Sequence, residues 1–195
     1  MGKLVVYNVS VLNPDLSITK AQTVETEEGV IKSLRDYTPG GERKCEKDTE
    51  LLDGSGKLLM PGLCDSHMHT GQQLLKGKIL DELPMIWTRI MLPFESTLTP
   101  EKMTLSAQLA ALEMIKSGTT AFVDAGSYYM ESAAEVYVQS GLRGMLSAST
   151  MDDPSLPDSI RQNADEAVET TDKLYESYHG KGNLKVAYSL RSLLS

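Results

Sequence analysis

From about residue 56 onward, the sequence alternates between short apolar segments and longer segments with helical spacing. Four apolar segments predict strands: LLMPGLCD, TTAFVD, LRGMLSAS and LKVAYSLR. Strands without a clean alternation of apolar and polar residues, joined by helices, are typical of a parallel sheet covered by helices. The pattern therefore leaves two α/β architectures open, a doubly wound sheet and part of a (β/α)8 barrel.

The helices between these strands have recognisable ends. Thr99 and Pro100 predict the start of a long helix, because threonine is a good N-cap and proline fits the first helical turn. Gly118 predicts the end of this helix. Three leucines share one of its faces: Leu105, Leu109 and Leu112. A second helix is predicted to end at Gly141, and a long acidic helix is predicted from Asp158 to His179.

The first 55 residues have a different pattern. Three segments rich in β-branched residues predict short strands: KLVVYNVSVL, SITKAQTVET and GVIKSLR. Turn-forming residues separate these segments, and no helical spacing is evident between them. We therefore place a domain boundary near residue 55, with a strand-rich part over residues 1–55 and the α/β part over residues 56–195.

Two of the three histidines lie where the first strand of the α/β part ends, in the run PGLCDSHMH. His67 and His69 are two residues apart, so a strand directs both side chains to the same side. Two converging imidazoles form half of a divalent metal site, although nearby histidines are often ordinary polar residues. A nucleotide-binding doubly wound fold would have a glycine-rich turn at this point, whereas this chain has histidines. The sequence therefore does not favour nucleotide binding. The third histidine, His179, is predicted at a helix end away from this site, and Asp124 is expected to cap the loop after the second strand.

Charge and cysteine content exclude several classes of partner. The formal net charge is −8, and a uniformly acidic chain repels nucleic-acid phosphates and anionic lipid head groups. No apolar run approaches the ~20 residues that span a bilayer, and the first residues lack the features of a signal peptide. Cys45 and Cys64 lie far apart, which favours a reducing compartment over a disulfide framework. We therefore expect a cytoplasmic protein that binds neither nucleic acid nor membranes.

The run around the two histidines, GKLLMPGLCDSHMHTGQQLLKG, resembles the metal-binding signature of the amidohydrolase superfamily. The following runs DELPMIW, LPFESTLTPEKM and IKSGTTAFVDAG resemble the branch that contains S-adenosylhomocysteine and methylthioadenosine deaminases, guanine deaminases and triazine hydrolases. The N-terminal runs VETEEGVIKSL and LLDGSGKLLMPG are similar to the small β-sandwich of that family. The resemblance implies an α/β fold in which a β-sandwich portion (1–55) precedes the N-terminal half of a barrel (56–195), about its first four strands.

This resemblance implies a metal-dependent hydrolase that acts on carbon–nitrogen bonds of a small heterocyclic or nucleoside-like substrate. His67 and His69 would bind one Zn²⁺ or Fe²⁺ ion, which acidifies water. In the family, the other metal ligands and the proton shuttle lie on the fifth, sixth and eighth strands. A barrel needs at least about 200 residues, and 140 follow residue 55. We therefore expect no catalytic residue within residues 1–195 and no activity from this part alone.

We expect four residues to contact the substrate, two of which follow from the resemblance. Glu95 matches a family position that hydrogen-bonds polar groups of nucleoside substrates, and Gln72 matches a substrate-facing glutamine of the triazine hydrolases. Trp87, the only tryptophan, is expected to line the pocket, although a single tryptophan is at least as often part of a core. Arg191 occupies a motif in which adenosine-type deaminases have a histidine, and it is expected to place a cation on the pocket side.

Two alternatives to a conventional enzyme remain open at the level of sequence. The chain could be a non-enzymatic remnant, or a subunit that another chain completes. Half of a barrel leaves its first and fourth strands as open edges, and unpaired edges favour association. We therefore expect self-association of the isolated chain.

Overall fold

A computed structural model describes residues 2–41, 48–79 and 85–190. The chain divides into two compact units, Met1–Pro61 and Gly62–Ser195. The division lies six residues after the boundary expected from the sequence. The cause is a short strand, Leu58–Leu59, whose residues pair with Ser10 and Val11 and therefore belong to the first unit.

The described residues of the first unit contain one mixed β-sheet. Its strands are β1 (Lys3–Leu12), β2 (Ile18–Glu27), β3 (Val30–Asp36), β4 (Thr49–Asp53) and β5 (Leu58–Leu59). The order is β3-β2-β1-β4, and β5 also pairs with β1. The first three strands are antiparallel, whereas β4 and β5 run parallel to β1. This confirms the three strands that the N-terminal sequence predicts.

The described residues of this unit form a single layer rather than the two layers of a complete β-sandwich. Val6, Val9 and Val24 form a small buried cluster on the sheet. Apolar residues of β3 are exposed instead: Val30, Ile31 and Leu34. The buried cluster is thus limited to the two central strands.

The second unit contains a parallel sheet with its strands in sequence order. These strands are β6 (Leu63–Met68), β7 (Thr119–Asp124), β8 (Arg143–Leu146) and β9 (Leu184–Val186). The helical elements are a 3₁₀ segment (Thr70–Leu75), a π-helical turn (Trp87–Met91), α1 (Leu92–Glu95), α2 (Pro100–Ser117), α3 (Met130–Ser140) and α4 (Ala164–Tyr178). The predicted α/β arrangement with parallel strands is confirmed. No helix within the described ranges has both the length and the hydrophobicity needed to cross a bilayer.

The segment LLMPGLCD was predicted as one strand, and this prediction is wrong. Its first two residues form β5 in the first sheet, and Leu63 begins β6 in the second. Pro61 lies between the two strands. It is a poor continuation of either strand, because proline has no backbone N–H to donate to a neighbouring strand. Gly62 then passes very close to β7: a Cβ at this position would lie 2.0 Å from Oγ1 of Thr120.

Helix α2 has the ends that the sequence predicts, and the face with the three leucines is not its buried face. The Thr99 side chain accepts a hydrogen bond from the Lys102 N–H, and the helix ends at Gly118. Leu105 and Leu112 are each 55% exposed. The buried face carries mainly small residues and methionines: Met103, Ser106, Ala107, Ala110, Ala111 and Met114. Small side chains let α2 pack closely against α3.

Helix α4 begins at Ala164, six residues after the predicted start at Asp158. Asn163 and Glu166 form a capping box in which each side chain accepts a hydrogen bond from the backbone N–H of the other. The segment before it forms turns instead, with the N–H of Ile160 donating to the Pro157 carbonyl. The acidic run that begins at Asp158 is therefore not the start of the helix, which the N-x-x-E pattern at Asn163 and Glu166 marks instead.

Replacement of Asn163 by alanine is expected to lower the free energy of unfolding by about 1 kcal/mol, because the Glu166 N–H loses its acceptor. Urea unfolding followed by circular dichroism measures this change. Asn163→Asp, which keeps an acceptor oxygen, is the control and should remain near the wild-type value. Equal losses in both variants would contradict a role for the cap.

Candidate functional site

His67 and His69 lie together at the C-terminal end of β6, as the alternation of side chains along a strand predicts. Their ring centroids are 5.2 Å apart, and the ring planes are nearly perpendicular at 85°. His67 is exposed, whereas His69 is partly buried. Both imidazoles are therefore close enough to contact one ligand at this end of the sheet.

The ring of His69 is oriented by the loop that follows β7. Its Nδ1 atom lies 3.0 Å from the backbone carbonyl oxygen of Gly126. Because a carbonyl oxygen only accepts hydrogen bonds, Nδ1 must be the protonated nitrogen. The lone pair of neutral His69 is then on Nε2. Metal-binding histidines commonly have this arrangement, in which one ring nitrogen donates to a carbonyl and the other binds the ion.

The two imidazoles have the chemistry that a divalent ion requires of a ligand. Neutral imidazole nitrogen is a preferred ligand of zinc. Within the described ranges, no group of three or more histidine, cysteine, aspartate or glutamate side chains is arranged to hold an ion. Among the described residues, these two imidazoles alone would therefore not complete the coordination of an ion.

Asp124, the last residue of β7, is completely buried. One carboxylate oxygen accepts hydrogen bonds from the Thr70 N–H, at 2.9 Å, and from the Thr70 hydroxyl. The other accepts from the Gly126 N–H at 2.9 Å and from the Ser127 hydroxyl at 3.3 Å. Asp124 therefore caps the loop after β7, as the sequence predicts, and also holds the loop after β6. The second role has no local signal, because Thr70 and Asp124 are 54 positions apart.

Opposing effects act on the pKa of Asp124. Burial raises this pKa above its ordinary value, whereas the hydrogen bonds from Thr70 and Gly126 act in the opposite direction. The network continues to Tyr137, whose hydroxyl lies 2.7 Å from Oγ1 of Thr70. Burial also raises the pKa of Tyr137, so this phenol stays protonated and can donate to Thr70.

Gln72 and Glu95, two of the predicted substrate-binding residues, contact each other. Nε2 of Gln72 donates to Oε1 of Glu95 at 2.7 Å. Glu95 lies at the end of α1 and is only 4% exposed. The backbone N–H of Gln72 donates to the carbonyl of His69, so the pair lies one turn from the histidines.

The other predicted residues have different surroundings. Trp87 is partly buried and packs against an apolar cluster: Leu92, Met151, Leu156 and Ile160. Arg191 lies outside the described residues. His179 ends α4, as predicted, and its Nδ1 atom lies 3.3 Å from both the N and O atoms of Val186. The structure thus brings together His67, His69, Gln72 and Glu95, while His179 is part of a helix end.

Comparison with protein families gives one match over most of the second unit. The sequence model of the amidohydrolase family matches residues 58–189. This range begins just before β6 and extends beyond β9, so it contains all four parallel strands.

Curated relatives include several nucleoside deaminases. A 5-methylthioadenosine/S-adenosylhomocysteine deaminase of Halalkalibacterium halodurans is 43% identical over 125 residues, which are 63% of this chain and 28% of the relative. The enzyme of the same name from Thermococcus kodakarensis is 33% identical over 171 residues, or 86% of this chain and 37% of the relative. The chain thus spans about a third of the length of these relatives.

Solved structures share the fold at lower identity. One is a guanine deaminase of C. acetobutylicum, crystallised with guanine in its active site. It has a TM-score of 0.85 at 19% identity, and the match covers 100% of this chain and 47% of the guanine deaminase chain. An adenosine deaminase of Xanthomonas campestris with bound zinc has a TM-score of 0.81 at 24% identity. This match covers 96% of this chain and 42% of the adenosine deaminase chain. The chain therefore matches somewhat less than half of each of these folds.

Replacement of Thr70 by valine is expected to lower the free energy of unfolding by about 1–3 kcal/mol, because both Asp124 and Tyr137 lose a buried hydrogen-bond partner. Denaturant unfolding measures the change. Thr70→Ser keeps the hydroxyl and serves as the control. If the valine and serine variants were equally stable, the hydroxyl would not be a required link between β6 and β7.

Proposed function

The chain belongs to the amidohydrolase family, and we propose that it forms part of a metal-dependent hydrolase of carbon–nitrogen bonds. The observation that carries this proposal is the pair formed by His67 and His69, with Nδ1 of His69 held by the Gly126 carbonyl. That hydrogen bond leaves the opposite ring nitrogen available to a metal ion.

The proposed architecture is the first half of a (β/α)8 barrel, preceded by a β-sandwich portion over residues 1–55. Four parallel strands in sequence order, joined by helices, support the barrel. The histidines also lie at the C-terminal end of a strand, where barrel enzymes have their active sites. The matched structures are more than twice as long as the region they share with this chain. In this proposal, the remaining strands pair with β6 and β9 and supply the other ligands and the proton shuttle.

The proposed cofactor is one divalent ion, zinc or iron, held in part by His67 and His69. When bound, such an ion acidifies water and thereby supplies a nucleophile at neutral pH. The residues of this chain provide its orientation. Gly126 fixes the His69 tautomer, and the end of β6 keeps the two rings adjacent. The zinc found in the deaminase of Xanthomonas campestris supports this choice of ion.

The proposed reaction is hydrolytic deamination, or a related carbon–nitrogen hydrolysis, of a small heterocyclic or nucleoside-like substrate. The relatives named methylthioadenosine and 5'-deoxyadenosine deaminases support this substrate class, as does the guanine deaminase fold. Glu95 would accept hydrogen bonds from substrate hydroxyl or amino groups, while Gln72 holds its carboxylate. Trp87 and Arg191 remain proposed pocket residues.

Zinc titration of the full-length protein tests the proposed metal centre. His67→Ala and His69→Ala are each expected to weaken zinc binding at least about tenfold, because each removes a nitrogen ligand. His179→Ala is the matched control, since this histidine bonds the backbone at the end of α4. Equal losses of affinity in all three variants would contradict the assignment of the site.

Steady-state kinetics test the role of Glu95. Glu95→Gln is expected to raise KM for the best nucleoside or purine substrate about 10- to 100-fold with a smaller effect on kcat, because hydrogen bonds to charged groups contribute about 1.5–3 kcal/mol. Ammonia release from methylthioadenosine and guanine provides the assay. Glu101→Gln, in the first turn of α2, is the control. A fall in kcat with an unchanged KM would exclude a role limited to substrate binding.

A further inference from the structure

Two loops at the C-terminal end of the parallel sheet meet at one buried carboxylate. The loop after β6 contributes Thr70, which directly follows His69 in the chain. The loop after β7 contributes Gly126, whose carbonyl oxygen contacts the His69 ring. Asp124 binds the first loop through one carboxylate oxygen and the second through the other. The loop that follows His69 and the loop that orients the His69 ring are therefore joined by the Asp124 side chain.

The backbone conformation of Gly126 lets it contact both Asp124 and His69. Its φ is +111°, which side-chain-bearing residues rarely adopt. A Cβ at this position would also lie 3.2 Å from the carbonyl oxygen of Ala148. The N–H of Gly126 donates to Asp124 while its carbonyl faces His69. A change at Asp124 would therefore alter the direction of that carbonyl.

Ser127 provides a second connection between the loops. Its hydroxyl oxygen accepts a hydrogen bond from the Gly71 N–H at 3.1 Å, and the hydroxyl donates to Asp124 at 3.3 Å. Both Ser127 and Asp124 are buried. Because water is excluded there, loss of either partner leaves buried polar groups unsatisfied, and the loops would shift to recover hydrogen bonds.

We propose that Asp124 is a positioning residue of the metal centre: by joining the loops after β6 and β7, it fixes the Nδ1–H tautomer of His69 and presents Nε2 to the ion. This inference rests on the proposed function for the identity of the ligand. Asp124 itself does not contact the ion, because both of its oxygens are taken up by Thr70, Gly126 and Ser127.

Asp124→Asn is the informative substitution. An amide of the same shape has one acceptor oxygen and one NH₂ group, so it cannot accept from both the Thr70 N–H and the Gly126 N–H. One of the two loops must then lose its hydrogen bond. Thr171→Val is the matched control, since it removes a buried hydroxyl of α4 that bonds only the carbonyl of Ala167 among its described contacts.

Two measurements on the full-length protein distinguish a positioning role of Asp124 from a general loss of stability. Nitrogen-15 NMR of the metal-free protein reports the tautomer of His69 directly. Zinc titration then reports the affinity of the site. We expect a single Nδ1–H tautomer in the wild type, a tautomer mixture in Asp124→Asn, and a loss of zinc affinity of about 10- to 100-fold. Thr171→Val should change neither quantity.

Ser127→Ala keeps the test decisive if Asp124→Asn does not fold. It removes one connection between the loops and should produce a smaller change of the same kind in the His69 tautomer. A folded Asp124→Asn protein with wild-type tautomer and zinc affinity would overturn the proposal, as would an unchanged Ser127→Ala protein if the first variant cannot be studied. If the wild type binds no zinc, the proposed function fails, and the tautomer comparison still decides whether Asp124 orients His69.

Discussion

A buried carboxylate holds together the end of the sheet where the histidines lie. A charged group without water is strongly destabilising unless hydrogen bonds replace its hydration. Asp124 meets this requirement with four donors from the two neighbouring loops. The pairing of Met68 with Asp124 in adjacent strands brings these loops within reach of each other. The conformations of His69 and Gly126 therefore depend on the register of β6 and β7.

Core residues of the second unit also stabilise the hydrogen bonds around Asp124. Tyr137 of α3 is fully buried, packs against Phe122 of β7 with ring centroids 4.4 Å apart, and places its hydroxyl against Thr70. From α2, the Ser106 hydroxyl donates to the carbonyl of Thr70 at 2.6 Å. Two helices thus help to fix the residue that follows His69. The same contacts that stabilise the fold therefore restrict the geometry of the candidate metal site.

Local sequence rules predict much of the secondary structure, together with the histidine pair. The start of α2 at Pro100 and its end at Gly118 depend on backbone geometry within a few residues. The convergence of His67 and His69 depends only on the alternation of side chains in a strand. Helical spacing does not identify the buried face of α2, because Leu105 and Leu112 are more hydrophobic than alanine and yet exposed. Close packing against α3 favours small side chains over hydrophobic ones at that interface.

The sequence by itself determined the parallel α/β pattern, the two imidazoles at the end of β6 and the position of Asp124 at the end of β7. Tertiary structure alone decided that LLMPGLCD divides between two sheets and that Glu95 contacts Gln72. It also decided that Asp124 binds the residue following His69. These features join residues that are distant in the chain, so they depend on which strands become neighbours and in what register. Residue spacing along one strand or helix contains no information about that register.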